Sequence, residues 1–362
     1  MSSLDVLFEP VRMGALTLPN RIVMAPMTRH RAYSDGTPRD WARKHYADRA
    51  SAGLIIAEAT QVSDLGKGYL DTPGIYTDSH VRAWKGITDA VHREGGRMFC
   101  QLWHVGRICH DSLLPDGEVP VAPSAIRADA KTFTEEGFVA TSQPRALELG
   151  EVAEVVQQFR QAAVLAIEAG FDGVEVHGAN GYLLDQFMNP NSNTREDEYG
   201  GSKEKRARFV LEIMDEVVEA LGADRVGIRL SPGRRFNGMD IGGAEDGFAW
   251  LIDQLQRYEL AYVHFAERAQ FAEFIKEDAD MVLRLRRRVS GFYIANGEYD
   301  AAKGARSVSD GHAHAVAYAR PYISNPDLVE RFRRGAALNE IDADRLYGGD
   351  EAGYNDYPAL KE

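Results

Sequence analysis

The chain has 362 residues, 44% of them hydrophobic, which suits one large α/β domain or two smaller ones around a sizeable core. With 55 acidic against 42 basic residues, the net charge of -13 disfavours nucleic acid and anionic membranes as partners; no apolar run approaches the ~20 residues of a bilayer span. Two cysteines, Cys100 and Cys109, are too few for a disulfide framework, and MSSLDVLFEP lacks the basic and apolar blocks of a signal peptide, so a reducing cytoplasm is the expected location.

Along the chain, short apolar runs alternate with amphipathic segments. The runs are RIVMAP (21–26), GLIIAEA (53–59), RMFCQLWH (97–104), FDGVEVH (171–177), RVGIRLSP (225–232), AYVHFAE (261–267), GFYIANG (291–297) and HAVAYARP (314–321). Most lack strict alternation of apolar and polar residues, as do strands buried on both faces. Between them, Val81, Trp84, Ile87 and Val91 share one helical face. Val152, Val155, Val156, Phe159, Ala163 and Ile167 share a second; Val210, Ile213, Met214, Val217, Val218 and Leu221 share a third, with Ser202 as its expected N-cap. Eight such alternations predict a (β/α)8 TIM barrel over 1–362, with a doubly wound open sheet as the rival. Residues 105–149 are too many for an ordinary loop and predict a capping subdomain, or lid, inserted after the third strand.

In a barrel the C-terminal strand ends share one rim. That rim would gather Thr28, Gln101, His104, His177, Asn180, Arg229 and Arg320, a polar set with two fixed positive charges suited to an anionic ligand. Small residues at 296–297 and 319–320 fall where barrels bind phosphate, after strands seven and eight. No G-x-G-x-x-G, P-loop, H-E-x-x-H or G-x-S-x-G is present. On spacing alone, the stretch EVHGANGYLLDQF (175–187) reads equally well as a loop-stabilising strand end or as a reactive turn.

Several segments in order carry a family resemblance: LFEPVRMGALTLPNRIVMAPMTR, RASAGLIIAEATQVS, QLWHVGR, GFDGVEVHGANGYLLDQF, YGGSKEKRARF, RPYISNPDL and YGGDEAGYNDYPAL. The sequence resembles the old yellow enzymes, FMN-dependent ene-reductases, and is most similar to the bacterial branch with N-ethylmaleimide, pentaerythritol tetranitrate and xenobiotic reductases. The resemblance implies noncovalent FMN on the barrel rim, reduced by NADPH or NADH and reoxidised by an electron-poor alkene. It further implies that His177 and Asn180 donate hydrogen bonds to the substrate oxygen, and that Tyr182 supplies the proton opposite the hydride. Thr28, with Ala25, Pro26 and Met27 beside it, matches the position bonded to flavin O4. Gln101 matches the amide at the pyrimidine edge, Ala59 a backbone contact to the ring, and Arg229 the charge beside N1. Asn296, Gly297, Ala319 and Arg320 match the phosphate end, and Tyr69, Trp103 and Tyr354 match aromatic positions around the substrate.

Without the resemblance, Arg229 would read as an ion pair with Asp172 or Glu175, and the aromatics as core. The chain departs from the family in ARP at 319–321, in Lys205 within EKR, in the single glycine of IANGEY, and in an acidic, shortened stretch at 262–280. The partner implied is a small activated alkene or nitro compound, with no nucleic acid, membrane or metal, and a monomer or weak homodimer as the assembly. Two other readings remain: a metal-dependent barrel hydrolase using His104, Cys109, His110, His177, His312 and His314, and a non-catalytic flavin-binding protein.

Overall fold

The computed structural model describes residues 4–233, 235–240, 243–267 and 276–361. Residues 268–275 of the stretch at 262–280 therefore lie outside the described residues. Among those described, eight parallel strands close into a barrel. They are β1 (Ile22–Met24), β2 (Leu54–Gln61), β3 (Met98–Trp103), β4 (Gly173–Gly178), β5 (Val226–Leu230), β6 (Tyr262–Ala266), β7 (Tyr293–Asn296) and β8 (Ala315–Tyr318). Each of the eight apolar runs coincides with one of these strands, β2 and β4 extending beyond theirs to Gln61 and Gly178, and closure of β8 onto β1 excludes the open sheet.

Helices pack around the outside: α1 (Ala42–Ala47), α2 (Asp78–Arg93), α3 (Leu149–Glu168), α4 (Leu183–Met188), α5 (Lys203–Leu221), α6 (Glu245–Leu255), α7 (Lys276–Arg286), α8 (Ala301–Ser309), α9 (Arg320–Ser324) and α10 (Leu328–Arg334). The three predicted amphipathic faces are α2, α3 and α5, and the Ser202 side chain accepts the Lys205 N–H as an N-cap should.

Both faces of the strands are buried, but against different things. Outward residues such as Ile55, Cys100, Leu102, Val174, Val176, Ile228, Leu230 and Val316 pack on the helices. Inward residues Val23, Leu54, Ile56, Phe99, Tyr262, Ile294 and Ala315 fill the barrel. Met13 and Leu18, from an antiparallel hairpin at Val11–Met13 and Leu16–Leu18, join this inner cluster and plug the end where the strands begin.

Residues 105–149 contain an antiparallel hairpin (Lys131–Thr134 with Gly137–Ala140) and a two-residue parallel pair (Val121–Ala122 with Arg145–Ala146). The hairpin is tied to the loop after β2: Leu70 N–H donates to the Phe133 carbonyl at 2.9 Å, and Thr132 Oγ1 bonds the Gly68 carbonyl. It therefore stands over the rim rather than against the helices.

Candidate active site

The period-two alternation of the strands decides what faces the mouth. Continuing inward from Phe99 gives Gln101 and Trp103 on β3; continuing from Tyr262 gives His264 on β6, and from Ile294 gives Asn296 on β7. Register joins the neighbours: Ala59 opposite Gln101, Gln101 opposite Glu175, His177 opposite Arg229, and Arg229 opposite His264. His177 and Arg229, 52 positions apart in sequence, are thus paired across adjacent strands.

The end of β4 turns sharply. Asn180 (φ 63°) and Gly181 (φ 74°) are both left-handed, and at Gly181 a side chain would meet the Phe236 carbonyl at 2.8 Å, so glycine is required there. Three bonds hold the turn. Asn180 N–H donates to Ser231 Oγ at 2.7 Å, Gly181 N–H to Asp185 Oδ2 at 2.8 Å, and Asn237 Nδ2 to the Asn180 carbonyl at 2.9 Å. Ser231 Oγ itself donates to Asp185 at 3.3 Å. On the strand side, His177 Nδ1 accepts the Ala179 N–H at 3.3 Å. A neutral imidazole so held carries its hydrogen on Nε2, as a donor.

Tyr182 follows at the start of α4. Its ring lies edge-on to His177 (centroids 5.1 Å) and to Trp103 (5.0 Å), and its hydroxyl meets that of Tyr69 at 3.2 Å. Tyr69 stacks on Trp103 at 5.7 Å. Burial, and then the neighbouring Tyr182 phenol, hold the Tyr69 hydroxyl protonated well above its ordinary range. The aromatic wall continues through His30, 5.6 Å from Tyr69 and 5.3 Å from Phe133 of the inserted hairpin, to Tyr347 at 5.0 Å.

Tyr354 corrects the expectation that it lines this space. It is 1% exposed, stacked at 3.7 Å on His45 and flanked by Arg29 and Arg31. Those two arginines donate to the carbonyls of Arg345, Leu346, Asp350, Ala352 and Gly353, and so turn Tyr354 inward beneath α1. Tyr347, 50% exposed, is the aromatic of that segment that reaches the wall.

The opposite side of the mouth is a cavity of about 220 Å³ whose lining includes Arg229, Asn296, Gly297, Ala319 and Arg320, with the Glu298 carboxylate also present. Arg229 Nη2 donates to Asn296 Oδ1 at 2.8 Å, and Asn296 Nδ2 to the Ala317 carbonyl at 2.9 Å. Arg229 Nε is buried without a partner among the described residues. A buried, incompletely bonded guanidinium beside Arg320 fits an anionic, phosphate-bearing group such as FMN. Ala319 precedes α9 with φ -96°, outside the left-handed region that would require the glycine it replaces.

Ala25 to Thr28 run along the rim after β1: Ala25 N–H donates to the Tyr318 carbonyl at 3.0 Å, and Arg29 N–H to the buried Glu58 carboxylate at 3.1 Å. Ala25 is buried, and Pro26, Met27 and Thr28 are half-buried.

His104, expected at the rim, and the residues of the alternative readings are placed differently. His104 is fully buried, its Nδ1 accepting the Gly106 N–H, and burial pushes its imidazole down to about 3. His312 bonds Glu267 at 2.7 Å, and His314 Nδ1 accepts the Tyr293 N–H, both away from His177. Among the described residues, no group of three His, Cys, Asp or Glu is placed to hold a metal ion. Asp172 caps the start of β3 through Met98 N–H and does not pair with Arg229.

Glu175 and His264 were not anticipated as site residues, although Glu175 lies two positions before His177 and so shares its inward face. Ser231, Asp185, His30 and Tyr347 also escaped notice; no local pattern distinguishes them.

Comparisons with known proteins identify the family of the chain. The family described as NADH:flavin oxidoreductase / NADH oxidase matches residues 6–339. Putative 12-oxophytodienoate reductase 4 of Oryza sativa subsp. japonica is 44% identical over 362 residues, covering 98% of this chain and 93% of the relative. The structure of morphinone reductase in complex with tetrahydroNAD superposes with a TM-score of 0.90 at 47% identity, covering 98% of each chain. The old yellow enzyme homologue of Zymomonas mobilis gives 0.93 at 38% identity, covering 98% of this chain and 99% of its own. With the closed barrel and the anion-ready cavity, they establish that the chain belongs to the old yellow enzyme family of FMN-dependent NAD(P)H oxidoreductases.

Proposed function

We propose that this enzyme reduces electron-poor C=C bonds, with enones, maleimides and nitroalkenes as the substrate class. The observation that carries the reading is the single turn at 177–182, which presents an Nε2–H imidazole, an amide and a phenol under one aromatic wall. Relatives named for 12-oxophytodienoate and for morphinone support an enone. Nitrate esters and nitroaromatics are secondary candidates that the same site would admit.

Bound FMN would supply a hydride carrier between NAD(P)H and the alkene. The rest falls to the chain. His177 Nε2–H and the Asn180 amide hold the substrate oxygen and stabilise negative charge as it grows there. Neither needs to ionise, and the fixed turn means that little reorganisation accompanies the reaction. Tyr182 holds a proton on the hydroxyl that meets Tyr69, available to the α-carbon. Tyr69 and Trp103 bound the substrate and exclude water, with the 105–149 insertion as their lid. On the cofactor side, Thr28, Ala59 and Gln101 would orient the ring. Arg229 and Asn296 would offset its negative charge; Gly297, Ala319 and Arg320 would hold the phosphate. No described helix is long and apolar enough to cross a membrane, and a cytoplasmic setting fits the composition.

The test is anaerobic titration of the yellow protein with NADPH and NADH, followed by a panel of alkenes. Bleaching by the nicotinamide and return of colour with an enone, with saturated ketone as product, is the expected result. Bleaching that only dioxygen reverses would refute alkene reduction.

A further inference from the structure

One carboxylate in the barrel has no role in the chemistry above. Glu175 lies on β4 one inward layer beneath His177, with no solvent exposure. Its Oε1 accepts Gln101 Nε2–H at 2.6 Å and its Oε2 accepts His264 Nδ1–H at 2.8 Å. A buried carboxylate is costly, and an apolar side chain would fill an all-β interior more cheaply. Burial pushes this carboxyl up, while its neighbours His264, Arg229 and the Gln101 amide hold it below its ordinary value, the direction that favours the carboxylate.

The permanently charged neighbour is Arg229. Burial lowers its guanidinium, and Glu175 is the group that most opposes the loss of its charge. The pair is arranged unusually for an ion pair. Arg229 Nη2 donates to the neutral Asn296, while Glu175 bonds Gln101 and His264. The positive charge is thus left directed at the cavity, and the negative charge is fixed one layer down by two donors from neighbouring strands. In a dry interior, two such charges both act on whatever sits above them.

We propose that Glu175 is a positioning residue that sets the reduction potential of the flavin: its carboxylate, clamped by Gln101 and His264, partly cancels Arg229 and keeps the potential below the value Arg229 alone would give. This rests on Arg229 facing the anionic edge of the cofactor. Reduction adds negative charge at that edge, so a nearby cation favours the reduced form and a nearby anion opposes it. Gln101 is held by the same carboxylate, which links the orientation of the ring contact to the tuning charge.

The experiment is an anaerobic spectroelectrochemical titration of holoenzyme against dyes of known potential. Glu175→Gln keeps the shape and removes the charge. At the wild-type midpoint it is expected to shift the reduced-to-oxidised ratio at least tenfold toward reduced, about 30 mV for a two-electron couple. Arg229→Gln is expected to shift the ratio the other way. A Glu175→Gln ratio within twofold of wild type, with Arg229→Gln displaced, overturns the role of Glu175 alone. An undisplaced Arg229→Gln overturns the placement of Arg229 at the cofactor instead. If Glu175→Gln does not fold, Glu175→Gln/Arg229→Gln leaves no unpaired buried charge and replaces it. It should lie at least tenfold toward reduced relative to Arg229→Gln, and equality of the two overturns the proposal.

Discussion

At the mouth end, the inward faces of β8, β1 and β2 differ in kind from those of β3 to β7, although both groups are apolar deeper in the barrel, with Val23, Leu54, Ile56 and Ala315 facing Phe99, Tyr262 and Ile294. Toward the mouth the first group presents Ala317, Ala25 and Ala59, all small, with Gln61 opposite Trp103 as its polar residue. The second presents Gln101, Trp103, Glu175, His177, Arg229, His264 and Asn296, nearly all polar and buried or half-buried. Both halves belong to one closed sheet with the same backbone bonding, so the strands themselves do not account for the difference. Small side chains leave room for a flat group and keep it dry. Polar ones, each fixed by a second bond, supply charge and donors without mobility. A binding site in this barrel is thus an asymmetry of side chains on a symmetric scaffold.

Variants that attack the polar half should act on chemistry and leave folding largely intact. His177→Ala with Asn180→Ala is expected to lower kcat/KM for an enone by about a hundred- to a thousandfold, since two donors to the developing charge are lost. Flavin content and reduction by nicotinamide should persist; stopped-flow separation of the half-reactions checks this, and equal loss in both would break the division between substrate and cofactor roles. Arg320→Ala should weaken FMN retention by about 10- to 100-fold, the size of a charge-assisted contact, read from flavin fluorescence on dilution.

Ser231→Ala leaves the Asn180 N–H without its 2.7 Å partner and removes the Ser231 hydroxyl from Asp185 Oδ2, which keeps the Gly181 N–H. The expected cost is about tenfold in enone turnover with flavin content unchanged, and Ser231→Thr, which keeps the hydroxyl, should restore most of it. The apolar half gives the smallest effect and the opposite signature. Ala59→Val should lower stability by about 1 kcal/mol through overpacking and reduce flavin occupancy, measured by thermal unfolding with and without added FMN. Normal occupancy in a destabilised variant would show that the small residues serve packing alone.

Much of the scaffold was legible in the residues. The apolar runs located all eight strands because a parallel strand buried on both sides must be apolar nearly throughout. That same property hid the inward face. Val174, Glu175, Val176 and His177 are all buried, so burial does not betray parity, and Glu175 reads as an isolated charge in a strand until the register places it against Gln101. The plug at 11–18 went unnoticed because its two strands are only three residues each. Tyr347 and Tyr354 could not be told apart locally. Their positions depend on two arginines more than 300 residues away that bind the intervening carbonyls.

By itself the sequence determined the alternation of strand and helix, the sharp turn that Asn180 and Gly181 impose at the end of β4, and the kinds of side chain available at the strand ends. These are local properties, set by periodicity and by the backbone freedom of single residues. The tertiary structure alone decided which of those side chains meet: His177 beside Arg229, Glu175 beneath both, Tyr182 against Tyr69. Barrel closure and strand register bring residues from distant parts of the chain into one layer, and register is a property of pairs of strands that no single strand contains.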